Sequence, residues 1–218
     1  MIKYVLFDLD GTLTDPKEGI TKCVQFALEE MGINPPPTDE LLDFIGPPLV
    51  DSFIRRFGMT IGDAEFALKK YRERFSTVGM FENKVYDGIP EMLRILKDSG
   101  LTLAVASLKP LIFVEKILEK FDLKKYFSAI AGSDLEGTKH TKKQIIDDAF
   151  AVPSPDNLSE VIMVGDRYQD IEGAKEAGIL SLGVRYGYAE KGELEAEGTD
   201  FIADTPAEVT DIILKEQC

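Results

Sequence analysis

Six short apolar runs recur along the chain, most of them with helical patterns between them, and they constrain the fold more than any other feature. They are YVLF (4–7), LTLAVA (101–106), FSAIAG (127–132), EVIMVG (160–165), ILSLGV (179–184) and DFIA (200–203). A strand with one wet face alternates apolar and polar residues, whereas a strand covered on both faces is apolar throughout, as these are. Strand and helix in alternation predict an α/β fold with a doubly wound parallel sheet. Such sheets bind ligands beyond the carboxyl ends of their strands. The helical segments carry fitting punctuation. Thr205, Pro206, Ala207 and Glu208 read as a capping box with proline at the first helical position, and Gly100 and Gly178 sit where helices would stop.

One block breaks the alternation. Between residues 14 and 84 the pattern is helical with no convincing strand. Ile20, Cys23, Val24, Ala27, Leu28 and Met31 recur at helical spacing, Gly32 marks a stop, and Pro35 to Pro37 form a loop. Further helical segments are expected around 39–45, 49–57 and 62–78. The expected organisation is a core formed by 1–13 and 85–218 with an all-helical insertion at 14–84, which would overhang a site at the strand ends.

A chain of 218 residues can bury a proper core without staples, and 44% hydrophobic with 29% charged residues is ordinary for a water-soluble protein. No run approaches the roughly 18 apolar residues that a bilayer requires, and Met1 leads directly into the first strand, so a cytoplasmic protein with no membrane partner is expected. Cys23 and Cys218 are far apart and suggest no disulfide framework. A formal net charge of −14 argues against a broad nucleic-acid footprint but leaves room for a small anionic ligand held by a local positive site. Either a monomer or a dimer is expected.

The chemistry starts in VLFDLDGTLTD (5–15), where a buried-type strand runs into Asp8 and Asp10. Residues two apart on a strand face the same way, so both carboxylates can address one crevice. Paired carboxylates at a buried strand end repel and are costly to desolvate, and a divalent cation offsets both effects. Magnesium in particular is commonly held by one or two carboxylates together with a substrate phosphate. A second acidic group follows the run VIMVG, where GDRYQD supplies Asp166 and, a helical turn later, Asp170. Those two acids also suit a plainer role as caps of the next helix.

DLDGTLTD near the start, a serine at the end of the second strand, a lysine before a helix and GDRYQD after a later strand together resemble the haloacid dehalogenase (HAD) superfamily of phosphohydrolases. The helical block with FIGPPLVDSF (44–53) is similar to the helical cap of its phosphoglycolate phosphatase-like branch, and the resemblance spans essentially the whole chain. It implies a magnesium-dependent phosphomonoesterase acting on a small-molecule phosphomonoester, of phosphoglycolate or nucleoside monophosphate type, through an aspartyl-phosphate. Asp8 would be the nucleophile and Asp10 the acid and base. The Asp8 and Asp166 side chains with the Asp10 carbonyl would ligate Mg2+, and Asp170 would lie one layer out. Ser107 matches a hydroxyl that binds a phosphoryl oxygen. Lys142 matches the phosphate-binding lysine better than Lys109, which precedes Pro110 and reads as a helix-entry residue near the rim. Gly11 would let the chain pass close to the phosphate, and Thr12 would brace the nucleophile.

Leu108 departs from the resemblance, standing where relatives often carry Asn or Ser. His140, the sole histidine, falls in a polar loop and reads as solvated, and without a second His or a suitable Cys neither a zinc site nor a Ser-His-Asp triad is available. Gly46 to Pro48 form a stiff loop that would either close over the site or merely connect helices, and Arg55, Arg56 and Lys22 read as solvated side chains. A sugar phosphomutase uses the same carboxylate pair. A phospho-accepting switch or a binding module with a dead site stands outside enzymes altogether.

Overall fold

The computed structural model describes residues 1–135, 141–150, 155 and 157–216, and within these the apolar runs become strands. The order is β1 (Tyr4–Phe7), β2 (Thr14–Asp15), α1 (Lys17–Glu30), α2 (Leu49–Phe57), α3 (Ile61–Phe75), β3 (Lys84–Val85), α4 (Ile89–Asp98), β4 (Thr102–Pro110) and α5 (Leu111–Lys120). There follow β5 (Ala129–Ser133), α6 (Lys142–Ala149), β6 (Val161–Gly165), α7 (Tyr168–Ala177), β7 (Leu180–Val184), α8 (Glu193–Ala196), β8 (Phe201–Ala203) and α9 (Pro206–Glu216). The chain divides into two compact units, one of Met1–Thr14 with Val85–Cys218 and one of Asp15–Lys84. His140, Lys139 and Cys218 lie outside the described residues.

The first unit is a six-stranded sheet in the order β5-β4-β1-β6-β7-β8, every neighbouring pair parallel. β1 lies in register with both neighbours, Phe7 standing opposite Val105 on β4 and Val164 on β6. Val5, Phe7, Val105, Ile162, Val164 and Leu182 are completely buried, which is why these strands read as unbroken apolar runs. The chain runs from β1 to β4 and β5 on one side and to β6, β7 and β8 on the other. The crevice beyond the carboxyl end of β1 is therefore the topological switch point of the sheet.

Local signals set the helix ends. Gly178 closes α7 in the left-handed conformation, its N–H reaching the Ala174 and Lys175 carbonyls. Thr205 Oγ1 accepts the Glu208 N–H at 3.2 Å, while the Glu208 carboxylate reaches back to the Asp204 N–H, one residue before the partner that the capping box anticipated.

In the second unit α1 buries Ile20, Cys23, Val24, Ala27 and Leu28, and α3 buries Ala64, Ala67, Tyr71 and Phe75. Phe44, Phe53 and Phe57 form an aromatic cluster, with Phe44 and Phe53 edge to face at 5.0 Å. Arg74 grips Glu82 with two hydrogen bonds, at 2.6 and 3.0 Å, and donates a third to the buried Cys23 Sγ at 3.3 Å. Three details differ from the sequence expectation. The block begins and ends in paired two-residue strands, β2 and β3, too short to leave an apolar run. The segment around 39–45 is two 3-10 turns, Thr38–Glu40 and Leu42–Phe44, because prolines at 37 and 47 leave too little chain for a helix to propagate. The last helix stops at Phe75 rather than near 78. Arg55 and Arg56 donate to the Asp43 and Glu40 carbonyls of those 3-10 turns, and Lys22 pairs with Glu18 and Glu82. Among the described residues no helix is long and apolar enough to cross a membrane.

Phe53 has no exposed surface and meets two other rings, so Phe53→Ala is expected to destabilise the protein by about 3–5 kcal/mol, read from urea unfolding against wild type.

Candidate active site

At the end of β1 the Asp8 N–H still bonds the Val164 carbonyl at 2.9 Å, so the strand holds this residue rigidly while its side chain enters the crevice. The chain then folds back tightly. Thr12, Leu13 and Thr14 all direct their N–H groups at the Leu9 carbonyl, and Gly11 adopts φ +83°. A side chain is excluded at Gly11 on a second ground, because a Cβ there would lie 2.0 Å from Asp166 Oδ2.

Oxygens of Asp8, Asp166 and Asp170 lie within 4.8 Å of one another, and all three residues are buried. Asp166 has no exposed surface; its Oδ2 accepts the Tyr188 N–H at 2.7 Å and its Oδ1 the Thr12 hydroxyl at 3.4 Å. Asp170 Oδ2 accepts the Arg167 N–H at 3.1 Å, so this residue caps α7 and joins the cluster at once. Lys142, at the first turn of α6, threads between the acids, with Nζ 2.8 Å from Asp8 Oδ1, 2.6 Å from Asp170 Oδ1 and 2.8 Å from the Ala106 carbonyl. An ammonium has three hydrogens, and these three acceptors use all of them. In this arrangement Lys142 organises carboxylates.

Asp10 forms a separate pair. Its Oδ2 is 2.5 Å from Lys109 Nζ, whereas its Oδ1 is buried without a hydrogen-bond partner. Ser107 is buried at the same strand end, its Oγ accepting the Lys109 N–H at 3.3 Å. Leu108 packs its side chain against the apolar cluster of Ala106, Ala131 and Ile145, and its carbonyl accepts the Ser133 hydroxyl at 2.7 Å.

These contacts bend the proton affinities in a consistent direction. Burial, reinforced by Asp170 and Asp8, raises the Asp166 carboxyl well above the ordinary range. Burial also pushes Asp170 up to about 6, against the pull of Lys142. Asp10 is raised by burial more than Lys109 lowers it. Burial alone would lower the Lys142 ammonium, but Asp170 and Asp8 outweigh it and the group stays charged. Three buried carboxyl groups thus face a single lysine, and their raised proton affinity marks how poorly one ammonium offsets them. An oxygen-only donor set with an excess of buried carboxylate fits a hard divalent cation.

Several positions differ from the sequence expectation. Lys109 is not at the rim: β4 continues through Ser107 to Pro110 with a slip in register, and this carries the lysine, its side chain only 7% exposed, onto Asp10. Thr12 braces Asp166 rather than Asp8. Asp170 has one oxygen on Lys142 and the other on the Arg167 N–H, beside the oxygens of Asp8 and Asp166. Sequence reasoning missed the segment after β7. There the Tyr188 N–H holds Asp166, Tyr186 donates its hydroxyl to the Thr12 carbonyl at 3.1 Å, and a Cβ on Gly187 would fall 2.4 Å from both Asp166 Cβ and the Gly11 carbonyl. A signal existed, since RYGY follows an apolar run just as GDRYQD does.

The fold and the crevice define a doubly wound α/β protein with a cation-ready acidic site at its switch point. Residues 5–184 match the haloacid dehalogenase-like hydrolase family, and the chain belongs to it. It is 44% identical over 205 residues to a 5′-nucleotidase of Pseudomonas aeruginosa, covering 93% of this chain and 92% of that one. It is 34% identical over 202 residues to the tyrosine-protein kinase PtkA of Mycobacterium tuberculosis, covering 92% of this chain and 68% of that one. The crystal structure of a predicted phosphatase from Clostridium acetobutylicum superposes with a TM-score of 0.94 at 43% identity, covering 99% of each chain.

Gly187→Ala should displace the Asp166 carboxylate and weaken binding of a divalent cation by about 10- to 100-fold, measured by calorimetric titration with Mg2+; unchanged affinity would contradict the packing described for this segment.

Proposed function

We propose that the protein is a magnesium-dependent phosphomonoesterase that hydrolyses a small phosphorylated metabolite through an aspartyl-phosphate. The observation that carries this reading is the gathering of the Asp8, Asp166 and Asp170 oxygens within 4.8 Å, beside an Asp10 that keeps one oxygen without a partner. Similarity to a 5′-nucleotidase favours a nucleoside 5′-monophosphate, with phosphoglycolate the other candidate that the sequence motifs suggest.

Asp8 is fixed by its backbone bond to β6 and by Lys142, so its free carboxylate oxygen can attack phosphorus from a single direction. The phosphorus–oxygen ester bond breaks as the Asp8–phosphorus bond forms, and the proton of Asp10 passes to the departing alcohol oxygen. Asp10, now a carboxylate, draws a proton from water attacking the same phosphorus. This releases inorganic phosphate and restores Asp8. The Ser107 hydroxyl donates to a phosphoryl oxygen, and Gly11 leaves the backbone free to approach it. Lys142 contributes mainly by holding Asp8 and Asp170 and by its charge. Asp8, Asp166 and the Asp10 carbonyl would hold Mg2+ with Asp170 alongside, and the bound cation would lower the repulsion between an anionic nucleophile and an anionic ester.

The test is phosphate release from nucleoside 5′-monophosphates, phosphoglycolate and p-nitrophenyl phosphate. Chelation should abolish turnover and Mg2+ restore it, and Asp8→Asn should lower kcat on the order of 10³-fold or more. Activity that survives Asp8→Asn rejects the mechanism. An isomerised sugar phosphate without free phosphate would make the protein a mutase, transfer from ATP to tyrosine would make it a kinase like the PtkA relative, and a long-lived phospho-Asp8 would make it a switch.

A further inference from the structure

We infer that Lys109 is a positioning residue for Asp10, fixing the carboxyl so that Oδ1 faces the leaving group while Oδ2 is held. This rests on Asp10 acting as the acid of the proposed reaction, and goes beyond it by assigning its two oxygens different duties.

The backbone around Lys109 is unusually constrained for the last residues of a strand. Ser107 pairs with Gly132 but Pro110 pairs with Ser133, so three steps along β4 match one along β5. The surplus chain bulges at Leu108 and Lys109. The bulge is pinned on both sides. The Lys109 N–H is bound by Ser107 Oγ, the Leu108 carbonyl by the Ser133 hydroxyl, and Pro110 fixes the next φ at −54° as the chain enters α5. A lysine launched from such a base has lost much of the freedom that usually makes its side chain a poor locating device.

Its Nζ lies 2.5 Å from Asp10 Oδ2, and the two side chains are 7% and 11% exposed. Removed from water, this charge-assisted bond is short and directional, so it selects one orientation of the carboxyl. The other oxygen, Oδ1, is buried with no partner of its own. A buried acceptor left unsatisfied is destabilising, and its persistence in a crevice lined by the catalytic acids points to an incoming group that completes it. The second lysine of the crevice is no substitute, because the Nζ of Lys142 already has three acceptors.

Leaving-group dependence separates this role from a merely structural one. A nitrophenolate departs with little need of a proton, whereas the alkoxide of a nucleoside does not. In Lys109→Met, kcat for adenosine 5′-monophosphate is expected to fall about 30- to 100-fold while kcat for p-nitrophenyl phosphate falls less than about 3-fold, with little change in either KM. Lys109→Arg, which keeps the charge and can reach the same oxygen, should recover most of the difference. Equal losses on both esters, or a change confined to KM, overturn the inference. Wild type that releases phosphate from neither ester instead rejects the reaction on which it rests. A crystal structure of Lys109→Met supplies a readout independent of turnover: Asp10 is expected to occupy more than one rotamer, and an unmoved, singly ordered Asp10 overturns the positioning role.

Discussion

Repulsion among carboxylates brought together out of water is the constraint on which the rest of the core depends. Asp8 at the end of β1 and Asp166 just past β6 belong to strands that are hydrogen-bonded neighbours, and Asp170 follows on the first turn of α7. Left alone, such groups would take up protons or force the strand ends apart. Lys142 answers part of the charge from α6, and donors from three other segments answer part of the hydrogen bonding: Thr12 after β1, Arg167 before α7 and Tyr188 after β7. The crevice is thus built from segments that meet only once the sheet has formed.

The sheet makes that meeting possible because β1 is central. A parallel strand with parallel neighbours on both sides has its carboxyl end in the notch where crossovers leave in opposite directions, and there a side chain can be enclosed without being covered by a connecting helix. β4 delivers Ser107 and Lys109 to one flank of the notch and β6 delivers Asp166 to the other. Two separate charge pairings result, Lys142 with Asp8 and Asp170 and Lys109 with Asp10, so the two acids of the proposed reaction are held by different cations.

Much of this was legible in the residues. Strands apolar throughout announced a sheet covered on both faces, whereas strand alternation does not account for Asp10, because β1 ends at Phe7 and the chain bends at Leu9. Signals that depend on register or on three-dimensional proximity were not legible. The destination of Lys109 turns on a bulge that only the pairing of β4 with β5 reveals, and its neighbour Pro110 pointed instead to a helix entry. Thr12 reaches Asp166 because the Gly11 turn swings it across the crevice, which no spacing rule anticipates. The Tyr188 N–H holds Asp166 and the Tyr186 hydroxyl holds the Thr12 carbonyl, both far away in sequence, and the backbone groups in these bonds have no letter of their own. The two-residue strands at 14–15 and 84–85 are too brief to leave any periodic trace.

Those small strands have a consequence for how the architecture can vary. Because β2 and β3 pair with each other, the excursion of chain from Asp15 to Lys84 departs and returns at adjacent points. Asp8, Asp10, Lys109, Lys142, Asp166 and Asp170 are all encoded outside that excursion. Crevice and excursion are therefore modular in the genetic sense: a lineage can lengthen, shorten or exchange the intervening stretch of coding sequence without rewriting any of these six residues.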